Sequence, residues 1–479
     1  RNNVLTTRAP FQPYSSTAKP PRLNRNQFGA NIGGPVVLPK LYNGKERTFF
    51  FFNWESGRLI SGSFGGTAFV PPVAYRTGNF SGSSAVIYDP STGQPFANNT
   101  IPASRIQSYA TKFMNFVPQP NANEAAINYR GPTASAPTDQ NQYLGRIDHR
   151  INNKNTLYGT YIFNQQTAFS VPTYVWDYTV GYGRQQVLSL CDTHVFSAST
   201  VNELRVGWSR RFPKSYNGTS YKPEYDIANI IGIPGVSKDP RDYGPPQFGM
   251  GYDYPTVAAN GPAYQHNQVW QFNDNLSINK GGHFLTVGTL IFRRNFSFDE
   301  ALYPRGVFGF DGRTTTLNGA SPVRENTFAA FLMGLATSAT ISSDPFSNRM
   351  NHTWQSYYFQ DDWKVTRNLT VNLGLRYDYF AQPVERGKVT NWELNGAIPG
   401  FTVSRQIFRN FPDIPDTPGV SPSLMNGDKN DWGPRLGFAY RVPRVNDLVI
   451  RGGYGVYYTQ EITNTYTNLV LGTPVVKSY

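Results

Sequence analysis

The stretch QDDWKVTRNLTVNLGLRYDYF, residues 360–380, decides the fold. From Leu369 onward the odd positions carry Leu369, Val371, Leu373, Leu375, Tyr377 and Tyr379, and the even positions carry Thr370, Asn372, Gly374, Arg376 and Asp378. A period of two means a β-strand with one apolar face. Before the turn, Phe359, Trp363 and Val365 take the odd face, with Gln360, Asp362, Lys364 and Thr366 on the even one. A three-residue turn, Thr366 to Asn368, sets Val365 opposite Leu369 and Trp363 opposite Val371, so the hairpin has one apolar and one charged side. Two environments accept such an apolar side: the core of a sandwich, or lipid around a barrel with a wet lumen.

Composition narrows the choice. The chain has 479 residues with 15% aromatics, yet its mean hydropathy is only −0.45. No run approaches the roughly 18 to 20 apolar residues that a membrane helix needs. Alternating barrel strands never produce such a run, so a membrane barrel stays open. The 44 Gly and 36 Pro residues predict many turns and long irregular connections. The single Cys191 precludes a disulfide or a cysteine-based zinc site within the chain. The formal charge of +13 is scattered along the chain, which argues against nucleic acid as a partner.

The same grammar recurs. Residues 26–38 and 48–58, 142–151 and 156–164, 183–197 and 201–211, 264–278 and 283–294, and 432–442 and 448–458 form further strand pairs, making six hairpins and twelve strands over a single domain, 1–479. Within hairpins the links are a few residues. Between hairpins they lengthen, with long loops at about 59–140, 214–263, 297–351 and 382–431 and a shorter one after residue 164. Lengthening every second connection is the habit of outer-membrane barrels, with short periplasmic turns and long extracellular loops.

The polar faces agree. In QYLGRIDHRI, Arg146, Asp148 and Arg150 share one face, a row that a dry sandwich core does not accept. With Lys364, Arg376, Asp378, Arg435 and Arg451 they are the candidate lumen-facing residues. Eleven residues from Leu369 to Tyr379, tilted by about 40°, span about 28 Å, matching an apolar band of about 25 Å. Tyr377 and Tyr379 then fall at one edge and Trp363 near the other, as interfacial girdles require. The predicted fold is an all-β, up-and-down antiparallel transmembrane barrel. Asp361 and Asp274 fall on the apolar parity, which predicts a bulge turning each inward. The run Phe49–Phe52 shows no parity.

Catalytic chemistry finds no foothold. His149, His194, His266, His283 and His352 are widely spaced and form no HExxH arrangement. No nucleophile elbow or phosphate loop is present. The expectation is therefore a protein without enzymatic activity, cofactor or metal. One segment, residues 325–341, places Phe328, Phe331, Leu332 and Leu335 at helical spacing within a long loop. It predicts a small helix packing on neighbouring loops, or alternatively an apolar patch for a ligand.

These residues also carry a family likeness. NQFGANIGGPV with RTFFFFNWESGR, VPPVAYRTGNFSG, IYDPSTGQPF and IPASRI resembles the start of the barrel in Oar-like TonB-dependent outer-membrane receptors. QYLGRIDHRINNKNTLYGTYIF, FSASTVNELRVGW, FAAFLMGLA, YFQDDWKVTRNLTVNLGLRYDYF and WGPRLGFAYRV with VIRGGYGVYY continue it in order over nearly the whole chain. The resemblance implies a barrel of about 22 strands, closed by an N-terminal plug and energised by the TonB complex. Twelve strands are then part of such a barrel, without plug or TonB box, and the strands near Phe28 and Tyr454 are expected to be unpaired at their outer edges. The implied role is TonB-energised uptake of a large or scarce extracellular ligand across the cell outer membrane, with outer-membrane lipid around the barrel. The alternative is a passive surface protein, an adhesin or scaffold on a barrel base.

Overall fold

The computed structural model describes residues 22–63, 66–124, 127–132, 134–170, 173–174, 178–253, 261–318, 320–342, 346–385, 428–445, 448–459 and 476–478. Twelve strands form one meander: β1 Leu23–Pro35, β2 Thr48–Ser63, β3 Ala134–Arg150, β4 Asn155–Phe169, β5 Thr179–Ser197, β6 Thr200–Asn217, β7 Ala263–Lys280, β8 His283–Glu300, β9 Phe346–Lys364, β10 Leu369–Phe380, β11 Trp432–Arg441 and β12 Val449–Gly455. Each pairs antiparallel with its neighbour in sequence, without a crossover. The short strand Val384–Glu385 adds to β9. Up-and-down order puts every short turn at one end of the sheet and every long connection at the other. Among the described residues no pairing joins β1 to β12.

The opening hairpin has the register its alternation dictates: Trp363 lies opposite Val371 and Phe359 opposite Leu375. Directly paired residues share a face, so the apolar row can be followed from strand to strand. Leu375 faces Pro434, and Tyr377 faces Trp432. On the other side Phe359 faces Val287, which faces Leu276. The row continues through Val206 and Phe272, Leu190, Gly159 and Ile147 to Phe50. Phe359, Leu375, Leu436 and Ile147 on this face are 45%, 45%, 56% and 57% exposed. An apolar surface of this extent is foreign to water-soluble monomers. Paired aromatics mark its upper edge: Trp208 with Trp270, Tyr143 with Phe163, and Tyr377 with Trp432, the last at 4.7 Å between ring centres. At the turn end Trp363 stacks on His283 at 5.1 Å.

The hydrophobic core lies elsewhere. Val70, Phe80, Ile87, Phe113, Ile227, Phe248, Met250, Phe328, Phe331 and Leu332 form one buried cluster, all of them in the long connections. Three long loops, joined by Tyr174 from the shorter connection 170–178, thus fold together into a cap. Its centre is a helix, Arg324–Met333, which the Asn326 Oδ1 begins by accepting from the Val323 N–H at 3.1 Å and Gly334 ends at φ 78°. Phe331 meets Phe113, Phe248 and Phe310 with ring centres 6.0, 5.1 and 5.5 Å apart. A second helix, Ser108–Met114, supplies Phe113, and the Tyr109 hydroxyl donates to the Phe331 carbonyl at 2.6 Å. A small mixed sheet of Gln247–Gly249, Val307–Gly309, Ser338–Ser342 and Val476–Ser478 completes the cap.

Four sequence expectations are corrected. No bulge occurs at Asp361 or Asp274: Asp361 stays in register between Leu285 and Leu373, and Asp274 between Leu204 and Thr289. Both keep the outward parity and take one lateral partner each, with Asp361 Oδ1 left buried without one. The His283 Nδ1 lies 2.8 Å from Asp361 Oδ2, and the Asn202 amide donates to Asp274 Oδ1 at 2.7 Å. These lateral hydrogen bonds let each carboxylate hold the outward parity without a bulge. Strands also run past the expected ends: the second long connection is only residues 170–178, and the others begin after Ser63, Asn217 and Glu300. Above the lipid band both faces are free of the lipid constraint, so alternation no longer marks a strand. The helix stops at Met333, and its apolar residues are buried within the cap, which excludes the ligand-facing patch. Finally, Phe49–Phe52 does keep parity: Phe50 and Phe52 join the outward row while Phe49 and Phe51 pair with Asp148 and Arg146. Most of the loop at 382–431 lies outside the described residues.

Two outcomes check this architecture. Leu373→Arg, at the belt, is expected to cost about 2–4 kcal/mol of folding in bilayers, whereas Asn372→Arg, one residue away on the other face, costs under about 0.5 kcal/mol; denaturant titration in vesicles measures both. Phe331→Ala removes the cap's central ring at about 3–5 kcal/mol, so hydrogen exchange quickens in the cap amides and stays unchanged in β9 and β10.

Candidate functional site

Following the pairing inward from the apolar row places all eight sequence candidates on the opposite face of the sheet. Arg146 and Asp148 lie on β3, Lys364 on β9, Arg376 and Asp378 on β10, Arg435 on β11 and Arg451 on β12. Arg150 ends β3 and donates to Asn153 Oδ1 in the turn at 2.9 Å. They share a face but not a site, being spread over five strands.

What organises them is the strand itself. Side chains two residues apart project from the same face, and three such pairs close into ion pairs along a strand. Arg146 meets Asp148 at 2.6 Å, Arg376 meets Asp378 at 2.9 Å, and Arg205 meets Glu203 at 2.9 Å. The last pair was missed in sequence, although VNELRVGW alternates cleanly and its odd residues carry both charges. Three of the arginines also lie over a tyrosine ring: Arg146 is 4.4 Å from the Tyr158 ring centre, Arg376 5.7 Å from Tyr358, and Arg435 4.6 Å from Tyr457. Tyr358 in turn donates to Asn275 Oδ1. The inner face thus carries three arginine–acid pairs neutralised in place, beside Arg150, Lys364, Arg435 and Arg451, which join no ion pair among the described residues.

Burial separates the pairs. Both partners of Arg146–Asp148 are close to 40% exposed, whereas Arg376–Asp378 is 26% and 7% exposed. Asp378 also accepts from the Ser356 hydroxyl at 2.5 Å. Higher on β8 and β9 the inner face turns aromatic, with Phe292 stacked on Trp354 at 4.2 Å and Met350 and His352 buried beside them. Arg294 donates from Nε to Asn267 Oδ1 at 3.0 Å in the same zone. These residues went unread in the sequence because polar and apolar side chains there no longer keep to fixed parities.

The cap above is held by polar ties as well as by its core. Arg76 reaches three carbonyls, Pro71, Val117 and Pro118, at 3.0, 2.8 and 2.5 Å, and burial lowers its pKa. The Asp239 carboxyl is held below its ordinary range by hydrogen bonds from Arg241, while burial pushes the neighbouring Asp242 carboxyl up. Among the described residues no group of three or more His, Cys, Asp or Glu side chains is arranged to hold a metal ion. The arrangement offers charged, hydrogen-bonding surface on a wall.

A continuous apolar outer belt edged by aromatics, a charged inner face and an up-and-down meander define an integral β-barrel of the outer membrane. The chain belongs to the outer membrane beta-barrel domain family, whose model matches residues 1–479. Among solved structures it is similar to the outer membrane transporter YddB of Escherichia coli, with 10% identity and a TM-score of 0.47 over 97% of this chain and 42% of that one. It is also similar to a mutant of the ferric enterobactin receptor PfeA of Pseudomonas aeruginosa (11% identity, TM-score 0.37, 91% of this chain and 41% of that one). The siderophore receptor PirA of Acinetobacter baumannii gives 12% identity and a TM-score of 0.37 over 93% of this chain and 41% of that one. The chain therefore spans less than half the length of each. No curated protein matches it.

The pairs should differ in worth. Arg376→Met strands a buried carboxylate and is expected to cost about 3 kcal/mol, whereas Arg146→Met, at a solvent-exposed pair, costs under about 1 kcal/mol. Equal losses in urea unfolding from vesicles would contradict the difference in burial.

Proposed function

We propose that this chain is the barrel of a TonB-energised outer-membrane receptor of the Oar-like group, taking up a large or scarce ligand. The observation that carries this is the joining of a charged inner wall to a cap folded from three long extracellular connections. A passive barrel needs neither. A folded cap presents a defined surface to a ligand, and a wall of paired charges gives a plug domain polar partners without leaving ions stranded when it moves. Arg146, Asp148, Arg376 and Asp378 are proposed as plug-facing residues, with Arg435 and Arg451 beside them. The protein acts as a receptor, not as an enzyme. YddB is described as an outer membrane transporter, PfeA as a ferric enterobactin receptor and PirA as a siderophore receptor.

One observation favours a second role. The cap's core is fully packed, so it also suits an adhesin or scaffold that presents a fixed surface. Site-specific photo-crosslinking in cells between the full-length protein and TonB separates the two. Energised uptake predicts a crosslink that strengthens when ligand-bearing medium is supplied; a passive scaffold gives none, and its deletion alters surface attachment without changing uptake.

A further inference from the structure

The first short turn is built unlike the others. Five of the six connections at that end of the sheet run for two to seven residues, whereas the one between Pro35 and Thr48 has twelve and folds into a hairpin of its own, Val37–Leu38 paired with Tyr42–Asn43. This hairpin is tied to the outward face. The Tyr42 and Thr48 hydroxyls share a hydrogen bond, the Thr48 hydroxyl lies 2.7 Å from His149 Nδ1, and Thr48 pairs with His149 two residues from Phe50 and Ile147 of the apolar row. Gly44 makes room for the ring, since a Cβ there would meet it at 2.7 Å. The result is an apolar tip beside the lipid belt, with Leu38 51% and Leu41 86% exposed.

The same corner gathers cations. Lys40, Lys45 and Arg47 lie on the hairpin and Lys154 on the neighbouring turn, which the Arg150 N–H ties to the Arg47 carbonyl at 2.7 Å. All four are exposed, and none joins an ion pair among the described residues. Glu46 is the one acid in the two turns. Above them the belt is hollow. Gly145 on β3 and Gly159 on β4 leave a depression of about 500 Å³ walled by Phe50, Ile147, Leu157 and Leu190, with His149 on its lining. A Cβ on Gly145 would meet nothing within 4 Å, so no side chain fills the space. Gly145 lies five residues from Arg150, the last of β3, and Gly159 four from Asn155, the first of β4. At about 2.5 Å of height per residue on a strand tilted by about 40°, the hollow sits about 10–13 Å from the turns, in the periplasmic half of an apolar band of about 25 Å.

We infer that the turn end of β1–β4 binds an anionic glycerophospholipid of the periplasmic leaflet, with an acyl chain in the Gly145–Gly159 hollow and the headgroup phosphate among Lys40, Lys45, Arg47 and Lys154. The hollow gains nothing from the hydrophobic effect, because lipid tails are as apolar as its walls; it selects by shape. Affinity comes from the cations, each of which is attracted to an anionic leaflet surface. Tyr42, an aromatic ring with a polar tip, stands where headgroup meets hydrocarbon. The exposed apolar tip decides between a lipid and an acidic soluble protein as the partner: a leaflet takes up Leu38 and Leu41 beside the cations, in the manner of an interfacial amphipathic segment, whereas an acidic soluble surface leaves both in contact with charge.

Native mass spectrometry of the full-length protein in detergent tests this with phosphatidylglycerol, phosphatidylcholine of the same acyl chains, and lipid A as a competitor. Phosphatidylglycerol should bind at least tenfold more tightly than phosphatidylcholine, and excess lipid A should leave it in place. The combined change Lys40→Gln, Lys45→Gln and Lys154→Gln should weaken phosphatidylglycerol about a hundredfold, at about fivefold per cation. Gly145→Leu, which fills the hollow, should weaken it severalfold with the cations intact. Heat-modifiable gel mobility confirms that each variant is folded. A nitroxide on Leu41→Cys, in a Cys191→Ala background in phosphatidylglycerol vesicles, should collide with oxygen more than with a water-soluble nickel chelate. Unchanged binding by the folded triple variant, phosphatidylcholine bound as tightly, or displacement by lipid A overturns the site; unchanged binding by Gly145→Leu overturns the hollow's part in it, and a nitroxide that favours the chelate overturns the insertion of the tip.

Discussion

Everything in this molecule depends on keeping backbone hydrogen bonds satisfied where no water can help. An N–H or C=O left open in hydrocarbon costs several kcal/mol, so a chain that crosses with strands must pair each strand on both sides through the lipid band. The meander from Leu23 to Gly455 does this with neighbours in sequence for β2 to β11, while β1 and β12 are each paired on one side among the described residues. Once the ladder is fixed, side chains have only two directions. One meets lipid and the other meets water, and the period of two follows.

That constraint explains what was legible. Wherever the two faces see different solvents, the sequence records the difference at every residue. So the pairing of Trp363 with Val371, the six hairpins and the common face of Arg146, Asp148, Arg376, Asp378, Arg435 and Arg451 could be read without coordinates. Exceptions were misread for the same reason. Asp361 and Asp274 broke the pattern and suggested bulges, yet each keeps its register and takes a lateral partner, His283 or Asn202. A strict two-solvent rule has no place for an outward carboxylate that finds its partner in a neighbouring side chain of the same face.

Beyond the band the record fades. β8 continues to Glu300, with Phe296 and Phe298 directed inward and Asn295 and Ser297 outward, the reverse of the lower strand. The cap was invisible for a further reason. Its core joins Phe80, Phe248 and Phe331 across some 250 residues of sequence, and no local period announces a contact of that range. Helical spacing did find Phe328, Phe331 and Leu332, but only the packing of the other two loops determines that the helix is buried on every side. For the inner face, parity supplied position and not partnership: which arginine neutralises which acid follows from the two-residue spacing along each strand, visible in Arg376 and Asp378 and overlooked in Glu203 and Arg205.

The central claim is that one face of β10 touches lipid while the other touches water. Single cysteines placed in turn at positions 370 to 377, in a Cys191→Ala background of the full-length protein, can each carry a nitroxide in reconstituted vesicles. Collision rates with oxygen, which concentrates in lipid, and with a water-soluble nickel chelate report the two environments. The account predicts strict alternation, with oxygen favoured at 371, 373, 375 and 377 and the chelate at 370, 372, 374 and 376. Low collision rates with both reagents at the odd positions would place that face against protein and contradict the barrel.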